Sequence, residues 1–476
     1  MEYLLQNVSP GTPLRFFEEI SAIPRASGNE AGIAAYLMDF AAQRGLFACC
    51  DAARNVLIKK PATKGREHED ALLLQAHTDM VAEKAAGVSH DFAREGVHLV
   101  REGDILRADG TTLGADDGFG VSMILGILAE CEDHPALECL FTASEETGMD
   151  GANAFDYSQL SAKTLLNLDG AEEDLIVCGC SGGLRSDLHL PLTPTSDAAK
   201  GLRITLSGLC GGHSGEDIHK GRANALTLMA ELLCEVKMLG GMRFSALHGG
   251  DKSNAIPREC VAVIAVSDVA RAVEILRDKE REIKARFCTE DRDFALGIES
   301  VEATALYALT DTDPILHLLS TKGGVLEWHK EIKGLPYTSR NVAKVVLDGK
   351  ECLIGMSHRS FDFGRIEQSA DEVQERAERV GGHARHSSPY PAWDGPARSP
   401  LIERWQMACE AVTGARPRVS ALHAGLECGI FAENIKGLSA ISLGCNIKDL
   451  HAPTEQMELS SFDRIYRVLL QFLKKI

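Results

Sequence analysis

The chain reads as an α/β protein: a mixed, mostly parallel sheet with helices on both faces, interrupted by an inserted α+β domain. Three observations carry that reading. Apolar runs of strand length alternate with helical stretches, chemistry-bearing residues recur just beyond those runs, and two Pro-rich connections bracket a region of different character. Strands buried on both faces and alternating with helices imply a parallel sheet. Binding sites in such sheets lie beyond the carboxyl ends of the strands.

Residues 12–45 read as two helices around a turn. Phe16, Phe17 and Ile20 share a face, residues 24–29 break the pattern, and periodicity resumes over 31–44. A short strand at 55–60 and a charged loop at 64–70 precede ALLLQAHTDM, residues 71–80, an apolar run that stops at His77-Thr-Asp79. Side chains two apart in an extended segment share a face. A carboxylate placed there can hold an imidazole through the nitrogen that does not bind metal. Alone, the pair fits a surface histidine near an aspartate better than a metal ligand. Short strands at 104–108 and 111–114 lead into LGADDGFG (113–120) and an apolar helix at 121–130. A strand at 137–143 ends in SEETGMDG (144–151), and another at 164–168 ends at Asp169-Gly170. His77, Asp116, Glu145, Glu146 and Asp169 thus all follow apolar segments.

Near residue 184 the character changes. LPLTPTSDAAKG, residues 190–201, reads as a connection. From 201 to 286 the pattern gives strand, loop, helix (223–237), strand (260–267) and helix (269–286). From 300 to 381 it gives strand, helix (314–323), two strands (342–347, 352–357) and helix (366–381). Two such similar strings point to a duplicated α+β module. A second Pro-rich connection, SSPYPAWDGPARSP at 387–400, precedes a helix (401–413), a loop with LHAGLECG, a strand (440–443), a loop bearing His451 and a closing helix from 462. The expected division is 1–184 with 397–476 as one domain and 185–396 as an insertion, an arrangement that close-lying chain ends permit.

At 476 residues the chain exceeds one average domain. Its 45% hydrophobic and 25% charged residues are ordinary for a globular protein. A net charge of −19 argues against nucleic acid and anionic membrane as main partners and suits the gathering of divalent cations. The fourteen cysteines are scattered through apolar runs (Cys131, Cys139, Cys234, Cys352), the opening lacks the pattern of a secretory signal, and no apolar run reaches membrane-spanning length. Free thiols in a reducing cytoplasm are expected. Cys178-Gly-Cys180 and Cys49-Cys50 lack zinc-ribbon spacing. No GxxxxGK[ST] loop and no GxSxG elbow occurs, which removes NTPase, kinase and serine-hydrolase readings. LGADDG lacks the alternating oxygens of a calcium loop.

A co-catalytic metal pair needs a bridging carboxylate, a shared water and a carboxylate base beside it. Histidine and carboxylate ligands with an open position suit zinc, with manganese or cobalt feasible. His77, Asp116, Glu145, Glu146, Asp169 and His451 supply two histidines and three carboxylates as ligands, with one glutamate left over as base. The residues alone do not say which of the adjacent glutamates that is.

Eight motifs in register, HTDM, LGADDG, SEETGMDGA, LNLDG, GGHSG, NAIPRE, HAGLECG and HAPTE, resemble the M20 metallopeptidases, and within them the aminoacyl-histidine dipeptidase branch (peptidase D, cytosolic nonspecific dipeptidase). The likeness runs from FFEEISAIPRASGNE at 16–30 to HAPTEQMEL at 451–459. It implies a zinc-peptidase-like catalytic domain with an inserted lid, and two Zn2+ ions replaceable by Mn2+ or Co2+. His77 and Asp169 would hold one ion, Glu146 and His451 the other, and Asp116 would bridge. Glu145 would be the general base, and Asp79 would orient His77. His213 of GGHSG would donate to the oxyanion, and Asn254 would belong to the substrate site. For the substrate carboxylate an arginine is the natural fork. Arg359 matches the family position best, although MSHRSFDFG is an unusual setting for it, and Arg340 in TSRNV is second. Glu427 in HAGLECG is the candidate counter-charge for the substrate ammonium, while His423 and His383 read as structural or supporting. Asp116 is followed by Asp117 where an asparagine would serve as well. The implied activity is hydrolysis of unblocked dipeptides, including Xaa-His such as β-alanyl-histidine, by a monomer or homodimer whose partner is a small peptide substrate. The alternatives are a tripeptidase or N-acyl amino acid deacylase of the same family, or a non-catalytic peptide-binding relative.

Overall fold

The computed structural model describes residues 3–287 and 290–474. The chain divides into two compact units. One comprises the chain up to Gly179, Trp393–Ala421 and the chain from Leu426 on; the other comprises Cys180–Ala392 and Leu422–Gly425. The expected boundary at 184 falls inside the strand Gly182–Pro191 of the second unit, and Trp393–Asp394 pairs within the first unit's sheet.

The first unit is built on one sheet, in the order Phe47–Cys50, Val56–Lys60, Leu137–Thr142, Leu72–His77, Thr164–Gly170, Ser439–Gly444, Leu175–Cys180 and Trp393–Asp394, with Arg418–Leu422 also on Leu175–Cys180. Its four central strands, from Leu137–Thr142 to Ser439–Gly444, are parallel, and antiparallel pairs flank them. Leu72–His77 and Leu137–Thr142 are buried at every position, the polar Gln75 and Glu138 included, as central strands covered on both faces require. Helix ends are written in the sequence: Ser399 accepts from the Ile402 N–H, Pro400 opens Pro400–Thr413, and Gly414 at φ 77° closes it. The last helix, Leu459–Leu473, buries Leu459, Phe462, Ile465, Tyr466, Leu469 and Leu473, the three-and-four spacing of a core-facing stripe. The strand expected at 111–114 is absent. Only Thr111 makes a bridge, to Lys84, because the Leu113 and Gly114 N–H groups donate to Glu455 instead of to a strand.

The second unit carries two copies of one β-α-β-β-α-β path in a single antiparallel sheet. The first copy runs Ala199–Ser207, helix Ala225–Lys237, Arg243–Gly249, Cys260–Ala265, helix Val269–Arg286 and Ala295–Ala303. The second runs Gly182–Pro191, helix Thr312–Leu319, Pro336–Asp348, Glu351–Ser360, helix Phe363–Glu378 and His383–Tyr390. In both, the sheet order is fourth, first, third, second, and the copies meet where His248 and Gly249 pair with Val346 and Val345. The duplicated module is therefore present with one displacement: the second copy's first strand precedes the whole first copy in the chain. The connection expected at 190–201 shrinks accordingly, since strands run to Pro191 and resume at Ala199. Ser387–Tyr390, read as connection, ends an edge strand, where a register shift and Ser388 at φ 51° make room for Pro389. Cys49, Cys50, Cys131, Cys139, Cys234 and Cys352 are among the free thiols; Cys288 lies outside the described residues. Among the described residues no helix is long and apolar enough to cross a membrane.

Candidate active site

His77 ends a central parallel strand with its ring buried, and Asp169 lies near the end of the neighbouring strand. His77 Nε2 is 2.9 Å from Asp116 Oδ1 and 3.6 Å from Asp169 Oδ1. The second oxygen of Asp116 faces the other histidine, with Oδ2 3.2 Å from His451 Nε2, and that nitrogen is 2.9 Å from Glu146 Oε1. Two triads result, His77–Asp116–Asp169 and Asp116–Glu146–His451, each with ligand atoms within 4.8 Å of one another. They share Asp116. Glu145 joins a third group of the same closeness with His77 and Glu146, and a separate group, His90–Glu95–His98, lies elsewhere in this unit.

Buried polar residues fix the loops that carry these groups. His77 Nδ1 lies 3.1 Å from the Asp79 carbonyl and 3.5 Å from Asp79 Oδ1. The Asp79 carboxylate also accepts from the N–H groups of Glu145 (3.0 Å) and Glu146 (3.3 Å) and from the Ser27 hydroxyl (2.8 Å), so it holds the glutamate turn as well as the imidazole. Burial alone would raise its pKa, but the bonds from His77, Ser27 and Glu145 outweigh burial and hold it at about 2. Arg25, fully buried, donates to the carbonyls of Thr78, Asp79 and Gly114 and so ties the His77 loop to the Asp116 loop. Glu455, four residues after His451, accepts from the N–H groups of Leu113, Gly114, Ala115 and Asp116. Glu30 accepts from the N–H and hydroxyl of Ser144, whose φ of 55° starts the turn into Glu145. Asn55 accepts from Ala143 N and donates to Gly151 O, drawing the two ends of that turn together. A Cβ on Gly151 would lie 2.2 Å from Ala143 O, so that closure requires glycine.

The electrostatics fit a cation pair. Burial, then the surrounding carboxylates, push Glu145 and Asp117 well up and Asp169 to about 7. Hydrogen bonds to Asp116 and Glu146 push His451 up to about 11; His77, although burial opposes its charge, is also raised by Asp116 and Asp169. The histidines thus hold protons where the carboxylates need positive charge. A divalent cation in each triad would supply that charge and release those protons. Asp117 is not directed at either triad: its Oδ2 accepts from His77 N and its Oδ1 from Gly120 N.

Below the cluster runs a buried polar row. Asn167 donates to Gln75, Gln75 donates to Glu427 and Thr142, and Thr142 also donates to Glu427 Oε2. Glu427 is fully buried, burial pushes it up to about 8, and its Oε1 has no partner among the described residues.

In the second unit, Ser214 N donates to the carbonyl of Asn254, and His213 pairs with Ala255 in a short ladder. Arg359, 8% exposed, donates from Nη1 to the Tyr390 hydroxyl at 2.7 Å. Arg340 is fully buried and spent on Ser369, the Lys322 carbonyl and Glu372. The sequence reading missed Arg25, Glu30, Asn55 and Glu455. Arg25, Glu30 and Glu455 do lie inside the stretches that carry the family resemblance, and charged residues among apolar ones were the available signal.

A model of the M20 peptidase dimerisation domain matches residues 204–292, within the first copy of the repeated module, and one of peptidase family M28 matches residues 55–180. The chain is 34% identical over 479 residues to the cytosol non-specific dipeptidase of Escherichia coli (strain K12), with 99% of each covered. Among solved structures, the aminoacylhistidine dipeptidase from Vibrio alginolyticus matches with a TM-score of 0.89 at 31% identity, over 100% of this chain and 98% of that one. Aminopeptidase PepT from Bacillus cereus, with a TM-score of 0.57 at 15% identity and 98% of each chain covered, shares the fold alone. The chain belongs to the M20 family of metallopeptidases, in the branch of the cytosol non-specific and aminoacylhistidine dipeptidases.

Proposed function

We propose that this protein is a cytoplasmic two-metal dipeptidase that hydrolyses unblocked dipeptides, Xaa-His such as β-alanyl-histidine among them. The observation that carries the reading is the pair of ligand triads that divide the two oxygens of Asp116 between His77 and His451. The dipeptidase names of the relatives at 34% and 31% identity support the substrate class. His77 and Asp169 would hold one ion, Glu146 and His451 the other, with Asp116 shared; zinc suits this donor set, and manganese or cobalt could replace it. Such a pair lowers the pKa of a shared water and polarises the substrate carbonyl.

The chain's own residues do the rest. Glu145 takes the proton that the attacking water gives up and later passes it to the leaving amine nitrogen. Asp79 fixes both His77 and the backbone of Glu145, so ligand and base keep one geometry. His213 is assigned to donate to the oxygen of the attacked carbonyl and Asn254 to line the substrate site. Arg359 is assigned to read the substrate carboxylate, and Glu427, with Oε1 uncommitted, to face the substrate ammonium. Turnover of Ala-His against N-acetyl-histidine tests the reading. Hydrolysis of the dipeptide alone supports it, and preference for the acylated amino acid would replace it with a deacylase.

A further inference from the structure

Arg359 sits in a row that crosses four adjacent strands of the second unit. Ser339 pairs with Arg359, Arg359 with Gly183, and Gly183 with Tyr390. A Cβ on Gly183 would come within 2.3 Å of the Tyr390 ring and hydroxyl, so the missing side chain is what lets that ring lie across the row toward Arg359. The segment Leu422–Gly425, whose flanking residues belong to the other unit, is fastened to the same row at two points. His423 Nε2 is 2.7 Å from Ser339 Oγ, and a Cβ on Gly425 would lie 2.8 Å from the Tyr390 ring.

Two buried nitrogens in this row have no partner among the described residues, Arg359 Nε and His423 Nδ1. Their residues are 8% and 4% exposed. An uncompensated buried donor costs about 1–3 kcal/mol, so two of them on residues that both adjoin Ser339 point to a ligand. The pattern on the guanidinium says which. Tyr390 occupies Nη1 and leaves the edge made by Nε and Nη2, the side-on fork that takes both oxygens of a carboxylate. Burial, then the charge of Arg359, push His423 down to about 3, which makes it a neutral imidazole. With the Ser339 hydroxyl donating to Nε2, its Nδ1 carries the hydrogen.

We propose that Arg359, Tyr390 and His423 form one cradle for the α-carboxylate of the dipeptide. Tyr390 acts as a positioning residue that selects the edge Arg359 presents, and His423 is a second direct donor. This rests on the assignment of Arg359 as the carboxylate reader, and the test separates the two claims.

Steady-state hydrolysis of Ala-His is measured for R359M, Y390F, H423Q, H423N and the double variant R359M/Y390F, with thermal unfolding to confirm that each variant folds. R359M raises KM about 100-fold, while Y390F and H423Q each raise it about tenfold, with kcat changed less than about threefold. H423N, whose side-chain amide reaches the place of Nδ1, keeps KM near the native value. H423Q, which reaches only toward Ser339, does not. The double variant is no worse than R359M alone, because Tyr390 acts through Arg359. If Y390F and R359M add, or if H423N and H423Q behave alike, the cradle is wrong while the Arg359 assignment stands. If R359M leaves KM unchanged, the Arg359 assignment itself falls.

Discussion

The metal cluster of the first unit and the Arg359 row of the second assemble their residues in opposite ways. His77 and Asp169 reach the cluster from the ends of neighbouring parallel strands, Glu146 from the turn after Leu137–Thr142, Asp116 from the start of the helix Ala115–Glu130 and His451 from a loop, and they are held there by buried charges: Asp79 under His77 and the glutamate turn, Glu455 under Asp116, and Arg25 between the two loops. The Arg359 row draws single residues from the middle or ends of neighbouring strands and lets sheet register align them. A cluster that must concentrate charge needs rigid, charged scaffolding. A subsite that reads one carboxylate needs only a few donors in line. The first should therefore fail through lost chemistry or lost metal, and the second through weaker substrate binding at unchanged chemistry.

The largest expected effect is that of Glu145→Gln. The amide keeps the shape but cannot take a proton, so kcat falls about 10^4-fold while elemental analysis finds the metal content unchanged. Native kcat in this variant would remove Glu145 as the base. Next comes the contrast of the two arginines. Against the KM effect expected for R359M, Arg340→Met should leave KM unchanged and cost about 2–3 kcal/mol of stability, read as a lower unfolding midpoint, because Ser369 loses its buried donor. Reversal of the two phenotypes would exchange their roles. Glu455→Ala leaves the backbone donors of residues 113–116 without their acceptor and should weaken metal binding about 10- to 100-fold by competition with a chelator, though Glu455 is no ligand.

The smallest effect is a pH slope. His358, bonded to Ser186 and Ser369, is pushed down to about 3 by burial and by Arg340, well under the unfolded value of about 6.5. Between those values the unfolded chain binds the proton and the native chain does not, so stability contributed by this site falls as pH drops from about 6.5 toward 3. His358→Gln should flatten that slope in thermal unfolding. An unchanged slope would assign the acid sensitivity to other groups, His423 among them.

The same contrast explains what could be read in the sequence. His77, Asp116, Glu145, Glu146, Asp169 and His451 follow apolar runs or sit in short contiguous motifs, because a parallel sheet delivers its functional side chains at strand ends. The geometry then brings those six together. Tyr390 and Ser339 sit in no such motif. They are single polar residues on strands, and only register, which sequence periodicity does not fix between distant strands, sets them beside Arg359. The repeated module was legible as two similar strings, but Gly182–Pro191 was not, since its partners Glu351–Ser360 and His383–Tyr390 lie beyond an entire intervening copy. Arg340 in TSRNV was legible only as a second candidate for the substrate carboxylate. Its complete burial depends on Ser369 and Glu372, residues about thirty positions away.

The claim beneath all of this is that the triads sharing Asp116 hold a pair of ions. Anomalous diffraction from crystals soaked in zinc tests it most directly. Two peaks are predicted, one among His77, Asp116 and Asp169 and the other among Asp116, Glu146 and His451. A single peak, or none at these residues in an active crystal, would contradict it.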